Sequence, residues 1–196
     1  MRIGLLVLSV SMSAALASVA SAQGVPVFEI APDASTIKFF VKASIELEGT
    51  FDKWDATLVF TSTDISTGVL DVRIRADSVD TGSSMKDDTL KSEDFFNVDQ
   101  DPYITFHSTK IVQTSPDIIE VHGDFTIRGV TKPEKLSLKV AGAGTGSGEI
   151  KGTMAFDRRD YGMDSGIPFI RIADRVEVTV NLSVKRVGGP AVALEK

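Results

Sequence analysis

The sequence predicts an all-β fold in which antiparallel strands close into a barrel, and three patterns point to it. About eight segments alternate apolar and polar residues with a period of two, so each has one apolar face. Turn-forming residues separate these segments, and helical spacing interrupts them only once. Buried parallel strands carry continuous apolar runs, so this alternation indicates antiparallel pairing. Eight such strands can close into a barrel or pack as a two-sheet sandwich, and periodicity alone does not separate the two.

The first residues have the pattern of a secretory signal peptide. Arg2 precedes an apolar run, and three small residues ending at Ala22 form a cleavage site. We therefore expect residues 1–22 to be removed and the mature protein to be periplasmic or secreted. A membrane anchor is the alternative, but the run is short and rich in Ala and Ser for a span of about 20 apolar residues. No second apolar stretch follows, so the mature chain is not expected to be an integral membrane protein.

Charge and cysteine content exclude several classes of protein. Without the leader the chain has 20 basic and 27 acidic residues, which disfavours nucleic acid as a partner because binding it requires a basic face. The absence of cysteine excludes thiol catalysis, thiolate metal sites and disulfides. One domain over residues 23–187 is long enough to bury a core without disulfides. Residues 188–196 contain Gly-Gly-Pro and are expected to form a flexible tail, and the oligomeric state stays open.

Three strand segments precede the helical stretch and five follow it, with apolar residues at every second position. The second segment contains a kink near Asp52-Lys53, and the last segment has the clearest alternation. The apolar positions are expected to face the barrel interior. Small residues among them, such as Gly49 and Gly123, are expected to leave room for a ligand.

The helical stretch lies within an insertion at about residues 83–97. Ser83 or Ser84 is placed to act as the N-cap, because a hydroxyl can accept a hydrogen bond from a free backbone N–H of the first turn. A single short helix in an all-β chain is expected to close one end of the barrel. Its expected apolar side consists of Met85, Leu90, Phe95 and Phe96.

The sequence contains no recognisable catalytic or metal site. The Gly-rich run at residues 142–148 has the spacing of neither a dinucleotide-binding loop nor a serine nucleophile elbow, and it indicates a hairpin loop. His107 and His122 are the only histidines, and both occupy outward positions. A hairpin could make them cross-strand neighbours, but two imidazoles are an incomplete zinc site. We therefore expect no enzyme activity, no metal ion and no cofactor.

Two basic residues have an ambiguous placement. Arg158 continues the inward phase of Met154 and Phe156, and Lys86 lies at the start of the helix. A buried guanidinium needs a carboxylate or several carbonyl partners. It could form a structural ion pair near a barrel end, or it could contact an anionic ligand head group at the mouth. Both residues are therefore candidate head-group contacts.

Several ordered motifs resemble the signature of the YceI-like family, and together they cover the chain from about Phe28 to Val187. The motifs are SVDTG at 78–82, DDTLKS at 87–92, FFNV at 95–98, PYITF at 102–106, GDFTIRGVTKP at 123–133 and RRDYGM at 158–163. The resemblance implies an eight-stranded antiparallel lipocalin-like β-barrel with one short helix-bearing insertion. It also implies a periplasmic or secreted protein whose interior holds an isoprenoid chain, such as a polyprenyl phosphate or a quinone tail. Ala43 and Thr89 replace two histidines that family members often carry, so contacts through those histidines do not carry over.

Three functional hypotheses follow. The first is a binding or carrier protein for a long apolar isoprenoid lipid held inside the barrel. The second is a stress or interaction protein whose barrel is filled by its own phenylalanines, and the third is an enzyme acting on a prenyl lipid. The missing nucleophile–base set argues against the third. Under the first hypothesis the predicted ligand contacts are Ile37, Phe39, Val41, Leu47, Phe51, Leu58, Phe60, Leu70, Val72, Ile74, Leu90, Phe95, Phe106, Phe125, Phe156, Val178 and Val180.

Overall fold

The computed structural model describes residues 24–44, 47–142, 145–166 and 171–195, and the predicted signal peptide lies outside them. Helix α1 spans Ser84–Lys91, and 3-10 helices span Ile65–Thr67, Ala76–Ser78 and Arg158–Tyr161. The strands are β1 Val27–Ala43, β2 Leu47–Phe51, β3 Trp54–Val59, β4 Val69–Arg75, β5 Val79–Asp80, β6 Tyr103–Ser115, β7 Ile118–Ile127, β8 Val130–Ala141, β9 Ser147–Asp157 and β10 Ile172–Gly188.

The strands close into an antiparallel barrel with eight strand positions. The order β10-β9-β8-β7-β6-β4-β3 leads to β1, which pairs with both β3 and β10 and so completes the ring. Strands β2 and β3 share one position, because both pair with β1 and they are separated only by the kink at Asp52-Lys53. Strand β5 adds a short edge to β2. The predicted eight-stranded antiparallel barrel is confirmed, and the closed ring excludes the two-sheet sandwich.

The predicted apolar faces point into this barrel. Ile37, Phe39 and Val41 of β1 are buried, whereas Lys38 between them is exposed. This burial follows from the strand geometry, since successive side chains point to opposite faces of the sheet.

Helix α1 closes one end of the barrel with a narrower apolar side than predicted. Leu90, Phe95 and Phe96 are buried, but Met85 is 79% exposed. Met85 and Leu90 are five positions apart and therefore about 140° apart around a helix of 3.6 residues per turn. Ser83 occupies the N-cap position, yet among the described residues its hydroxyl makes no capping hydrogen bond. None of the helices formed by the described residues is long and apolar enough to cross a membrane.

The sequence predicts a flexible tail over residues 188–196. In the structure, the described part of the segment after β10 is hydrogen-bonded to the barrel. The N–H of Ala193 donates a hydrogen bond to the carbonyl oxygen of Thr63 at 2.8 Å. The side chain of Gln113 makes two hydrogen bonds with the backbone of Glu195, each of 2.8 Å. The described part of this segment therefore runs across the barrel end that is opposite α1.

Candidate functional site

The described residues of the barrel enclose two separate cavities. The helix-side cavity, below α1, has a volume of about 100 Å³. The cavity at the other end has a volume of about 130 Å³, and we call it the strap-side cavity after the segment of residues 190–195 that closes it. The two cavities share no lining residue. The interior is therefore hollow towards both ends and pinched between them, so it is neither one continuous tunnel nor a core filled by phenylalanine rings.

The helix-side cavity is walled by apolar side chains from every barrel position and closed by the helical insertion. Leu90, Phe95 and Phe96 cover it from the α1 side. The ring centroids of Phe51 and Phe96 are 5.8 Å apart, and Phe39 lies 5.6 Å from Phe51, so these rings form one aromatic corner. Such a wall favours an apolar occupant, because a polar group placed there would lose its hydrogen bonds to water.

The predicted ligand contacts are divided between the two cavities. Leu58, Phe60 and Leu70 line the strap-side cavity, and the other fourteen apolar residues line the helix-side cavity. Lys86 is half-buried on α1 and belongs to neither wall.

Sequence reasoning also missed part of the helix-side wall. Leu136 and Val176 line this cavity and carry the same inward-phase signal as the residues that were named. Met163, which follows the last 3-10 helix, also lines it but has no alternation that would have identified it. Strand periodicity therefore finds the strand contributions to the wall and misses those of the loops.

The barrel interior narrows between the two cavities, and we call this constriction the pinch. There, larger side chains cover two inward-facing glycines, Gly123 and Gly152. Gly152 lies in register between Leu138 and Val180, and a Cβ atom at Gly152 would come within 2.6 Å of Leu138 Cδ2. A Cβ atom at Gly123 would come within 2.6 Å of the Phe106 ring. The expectation that Gly123 leaves room is therefore wrong, because a larger neighbouring side chain occupies the space. The same holds for Gly49, which is covered by the ring of Phe39.

The strap-side cavity is closed by the segment after β10. We call residues 190–195 the strap. Ala191, Val192 and Leu194 of the strap line the cavity, while Ala193 and Glu195 carry the backbone hydrogen bonds to the barrel. Arg186 and residues 146–148 form the less apolar part of the lining, and because all of them are partly or fully exposed to solvent, this part is the mouth of the cavity.

Arg158 is 5% exposed on the helix-side wall, and its guanidinium is held by the protein. Nε donates a hydrogen bond to the Ala173 carbonyl at 3.3 Å, and Nη1 donates to the carbonyls of Met163 and Ser165, the latter at 2.8 Å. Nη2 lies 3.1 Å from Oδ1 of Asp174. A guanidinium has five N–H groups, so these four contacts leave at most one for a ligand. The contacts match the structural interpretation, and the head-group role stays a prediction.

The loop that Arg158 anchors is tied to the helical insertion. The hydroxyl of Ser165 donates a hydrogen bond to Asp94 Oδ1 at 2.7 Å. Arg128, in the turn between β7 and β8, bridges the two segments, because its Nη1 donates a hydrogen bond to the carbonyl of Gly162 and its Nη2 donates one to the carbonyl of Glu93 at 2.8 Å. The two segments therefore form one connected cover over the helix-side cavity.

The two histidines lie on the outer face of the barrel and do not face each other. His107 is in register with Asp124 and His122 with Lys110, because the pairing of β6 and β7 shifts between them. The suggestion that the rings are cross-strand neighbours is therefore wrong. His107 Nδ1 instead lies 2.5 Å from Asp71 Oδ1. In the part of the chain that the structure describes, no group of three or more His, Asp or Glu side chains is arranged to hold a metal ion.

Tyr161 is fully buried beside the helix-side cavity. Its ring packs edge-on against Phe125 and Phe156, with centroids 5.7 and 5.2 Å away, and its hydroxyl donates a hydrogen bond to Glu134 Oε1 at 3.1 Å. Burial, followed by the neighbouring Glu134 carboxylate, raises the pKa of Tyr161 well above its ordinary value of 10.0. The folded protein therefore strongly favours the protonated phenol.

This raised pKa predicts a loss of stability at alkaline pH. Below pH 10 the phenol is protonated in both states, and above it only the unfolded chain releases the proton, so the free energy of unfolding falls by about 1.4 kcal/mol for each pH unit. Denaturant melts of Tyr161→Phe are expected to lack this decline. Tyr103→Phe, which removes the other tyrosine, is the matched control and should keep the wild-type decline. An identical pH dependence in wild type and Tyr161→Phe would contradict the expectation.

Comparison with known proteins matches the chain to one family. The family model described as YceI-like domain matches residues 28–184. A protein named YceI from Escherichia coli is 38% identical over 98 residues, which cover 50% of this chain and 51% of that protein. A protein YceI from Shigella flexneri is 39% identical over a stretch of the same length. The chain thus spans about half the length of the curated relatives it matches.

Solved structures share the barrel. BcnA from Burkholderia cenocepacia has a TM-score of 0.72 at 23% identity, and the match covers 79% of this chain and 99% of that one. A polyisoprenoid binding domain from Saccharophagus degradans, implicated in plant cell wall breakdown, has a TM-score of 0.66 at 15% identity and covers 82% and 99%. At sequence identities this low, the structural similarity establishes a common fold and nothing further.

Proposed function

The chain belongs to the YceI-like family, and from this premise we propose that it binds the apolar chain of an isoprenoid lipid inside its barrel. The observation that carries the proposal is the helix-side cavity, which is walled by apolar side chains and covered by the helical insertion. A fold shared with a polyisoprenoid binding domain supports the same function. The proposed ligand is a polyprenyl phosphate or a lipid with a quinone-type tail.

The chemistry of the wall favours a ligand that is apolar along its length. Among the described residues, the only charged side chain on the helix-side wall is that of Arg158, and most of its N–H groups are already bound to carbonyl and carboxylate oxygens. Burial of each CH₂ contributes about 0.8 kcal/mol, so one five-carbon isoprene unit contributes about 4 kcal/mol. Hydrophobic burial therefore supplies the affinity, and the ordering of the chain opposes it.

The pinch sets how the affinity depends on chain length. A chain that fills the helix-side cavity meets Phe106 and Val180, and it reaches the strap-side cavity only if these side chains and Leu138 change rotamer. We therefore propose that affinity rises with each isoprene unit until the helix-side cavity is full and then levels off. Lys86 and Arg158 remain the candidate contacts for a head group left at the mouth.

We propose that the protein acts as a carrier and not as an enzyme. The family and the fold neighbour favour binding over catalysis, and the walls of both cavities, within the described residues, are almost entirely apolar. We also propose a periplasmic or secreted location, which the predicted signal peptide at residues 1–22 supports. It suits a carrier, since a long prenyl chain is insoluble in water and needs a protein to cover it.

Lipid extraction and titration test this function. The full chain, expressed with its leader, is expected to release an isoprenoid on solvent extraction and mass spectrometry. The delipidated protein should bind prenyl alcohols of increasing length more tightly than straight-chain alcohols of equal carbon number. A protein that carries no isoprenoid above background and binds no prenyl alcohol would overturn the proposal.

A further inference from the structure

The strap-side cavity has features that an isoprenoid in the other cavity does not explain. It shares no lining residue with the helix-side cavity, and its own walls are mainly apolar side chains from β1, β3, β4 and β6 to β10. Two of its lining residues, Phe28 and Phe60, pack with ring centroids 5.7 Å apart. Space of this kind is a site for an apolar chain, and most of an apolar ligand's surface would be buried there.

A cationic side chain lies at the mouth of this cavity. Arg186 follows Leu182 and Val184 in the inward phase of β10, and of the side chains that the structure describes it is the only charged one that lines the cavity. Its Nη1 donates a hydrogen bond to the backbone carbonyl of Gly189. Among the ion pairs of the described residues, none involves Arg186, whereas the inward arginine at the other end, Arg158, has the carboxylate of Asp174.

This difference between the two arginines points to a ligand charge. An arginine without a carboxylate partner at the edge of an apolar cavity gains most from an anionic group, because its planar N–H groups match carboxylate and phosphate oxygens in pairs. Arg158 has its Asp174 partner and at most one N–H group left for a ligand, so it offers an anion a weaker position than Arg186 does. The strap-side cavity thus combines an apolar chamber with one charged contact at its entrance.

The strap covers this chamber with a limited set of contacts. The hydrogen bond from Ala193 to Thr63 and the two between Gln113 and Glu195 hold its backbone, and the side chain of Leu194 is partly buried against the core. A segment held by so few contacts opens locally far more often than the barrel unfolds. The strap can therefore move away without disturbing the strand ladders.

We infer that the strap-side cavity is a second ligand site, for a single-chain amphiphile with an anionic carboxylate or phosphate head. The chain lies in the apolar chamber, the head group lies at Arg186, and the strap opens to admit the ligand. The site uses none of the residues of the helix-side cavity and therefore stands independently of the isoprenoid function.

Calorimetric titration of the full chain with dodecanoate, dodecyl phosphate and dodecanol tests the head-group contact. We expect at least one anion to bind tenfold or more tightly than the alcohol, and Arg186→Gln to remove this preference while leaving dodecanol binding unchanged. Arg186→Lys keeps the charge and should retain most of the preference, and Lys185→Gln, on the outward face, should retain all of it. Equal binding of the three ligands to the wild type, or an unchanged preference in Arg186→Gln, would overturn the inference.

The position of the site is tested by filling each cavity in turn. Val140→Trp fills the strap-side cavity and is expected to abolish dodecanoate binding, whereas Val178→Trp, in the helix-side cavity, should change it by less than twofold. The reverse result would overturn the second site and leave the isoprenoid function standing. Intact dodecanoate binding in a protein that binds no isoprenoid would overturn the isoprenoid function alone.

The association and dissociation rates of dodecanoate test the role of the strap. Gln113→Ala removes both hydrogen bonds to Glu195, so stopped-flow measurements should show faster association and faster dissociation of dodecanoate, by several-fold each. Gln100→Ala, at an exposed position away from the strap, is the matched control. Unchanged rates in Gln113→Ala would show that the ligand does not enter past the strap.

Discussion

Val178→Trp is expected to weaken isoprenoid binding by at least a hundredfold while the barrel stays folded. Val178 is half-buried in β10, lines the helix-side cavity, and lies in register with Phe39 and Met154. An indole in place of its isopropyl group would occupy space that the ligand needs. Exclusion of one five-carbon unit removes about 4 kcal/mol of burial, and each 1.4 kcal/mol is a factor of about ten. Titration with a prenyl alcohol measures the loss.

Val140→Trp serves as the matched control for this prediction. Val140 is a half-buried valine of β8 that lines the strap-side cavity. The same substitution there should leave prenyl alcohol binding within a few-fold of wild type. Thermal unfolding of both variants shows whether each is folded. A folded Val178→Trp protein that binds the alcohol as tightly as the wild type would place the ligand elsewhere.

Arg158→Met is expected to lower the free energy of unfolding by about 3 kcal/mol or more, the usual cost of breaking a buried ion pair. The substitution leaves the carbonyls of Met163, Ser165 and Ala173 without their donor, and buried acceptors without partners are costly. It also releases the loop that covers the helix-side cavity. Urea denaturation measures the loss.

Arg159→Met separates this burial effect from simple loss of charge. Arg159 Nε lies 2.9 Å from the same Asp174 Oδ1, but the Arg159 side chain is 58% exposed, against 6% for Arg158. An exposed ion pair contributes about 0–1 kcal/mol, so Arg159→Met should cost little. Similar losses in the two variants would contradict the structural role assigned to Arg158. A selective loss of affinity for prenyl phosphate over prenyl alcohol in Arg158→Met would support its role as a head-group contact.

The barrel could be predicted because alternation records burial directly along the chain. Ile37, Phe39 and Val41 all point inward because one outward residue separates each from the next, and this spacing is visible in the sequence. The pinch could not be predicted, because it depends on which residues of β8 and β10 flank Gly152. That register is a property of three paired strands and is not visible in any one of them.

The two ends of the barrel were less predictable for similar reasons. The strap contains no local signal of order, and its main partner, Gln113, lies 82 residues before Glu195. Arg158 was placed correctly inside the barrel by its phase, but its carbonyl partners come from loops whose positions the sequence does not specify. Contacts between segments far apart in the chain therefore account for most of what sequence reasoning missed.

The location of a bound chain tests the central claim most directly. Crystals of the protein with a prenyl alcohol brominated at the end remote from the hydroxyl would show the bromine by its anomalous scattering. The account predicts one peak inside the helix-side cavity, between Phe39, Phe106 and Val178. A peak on the outer surface of the barrel, or only beneath the strap, would contradict it.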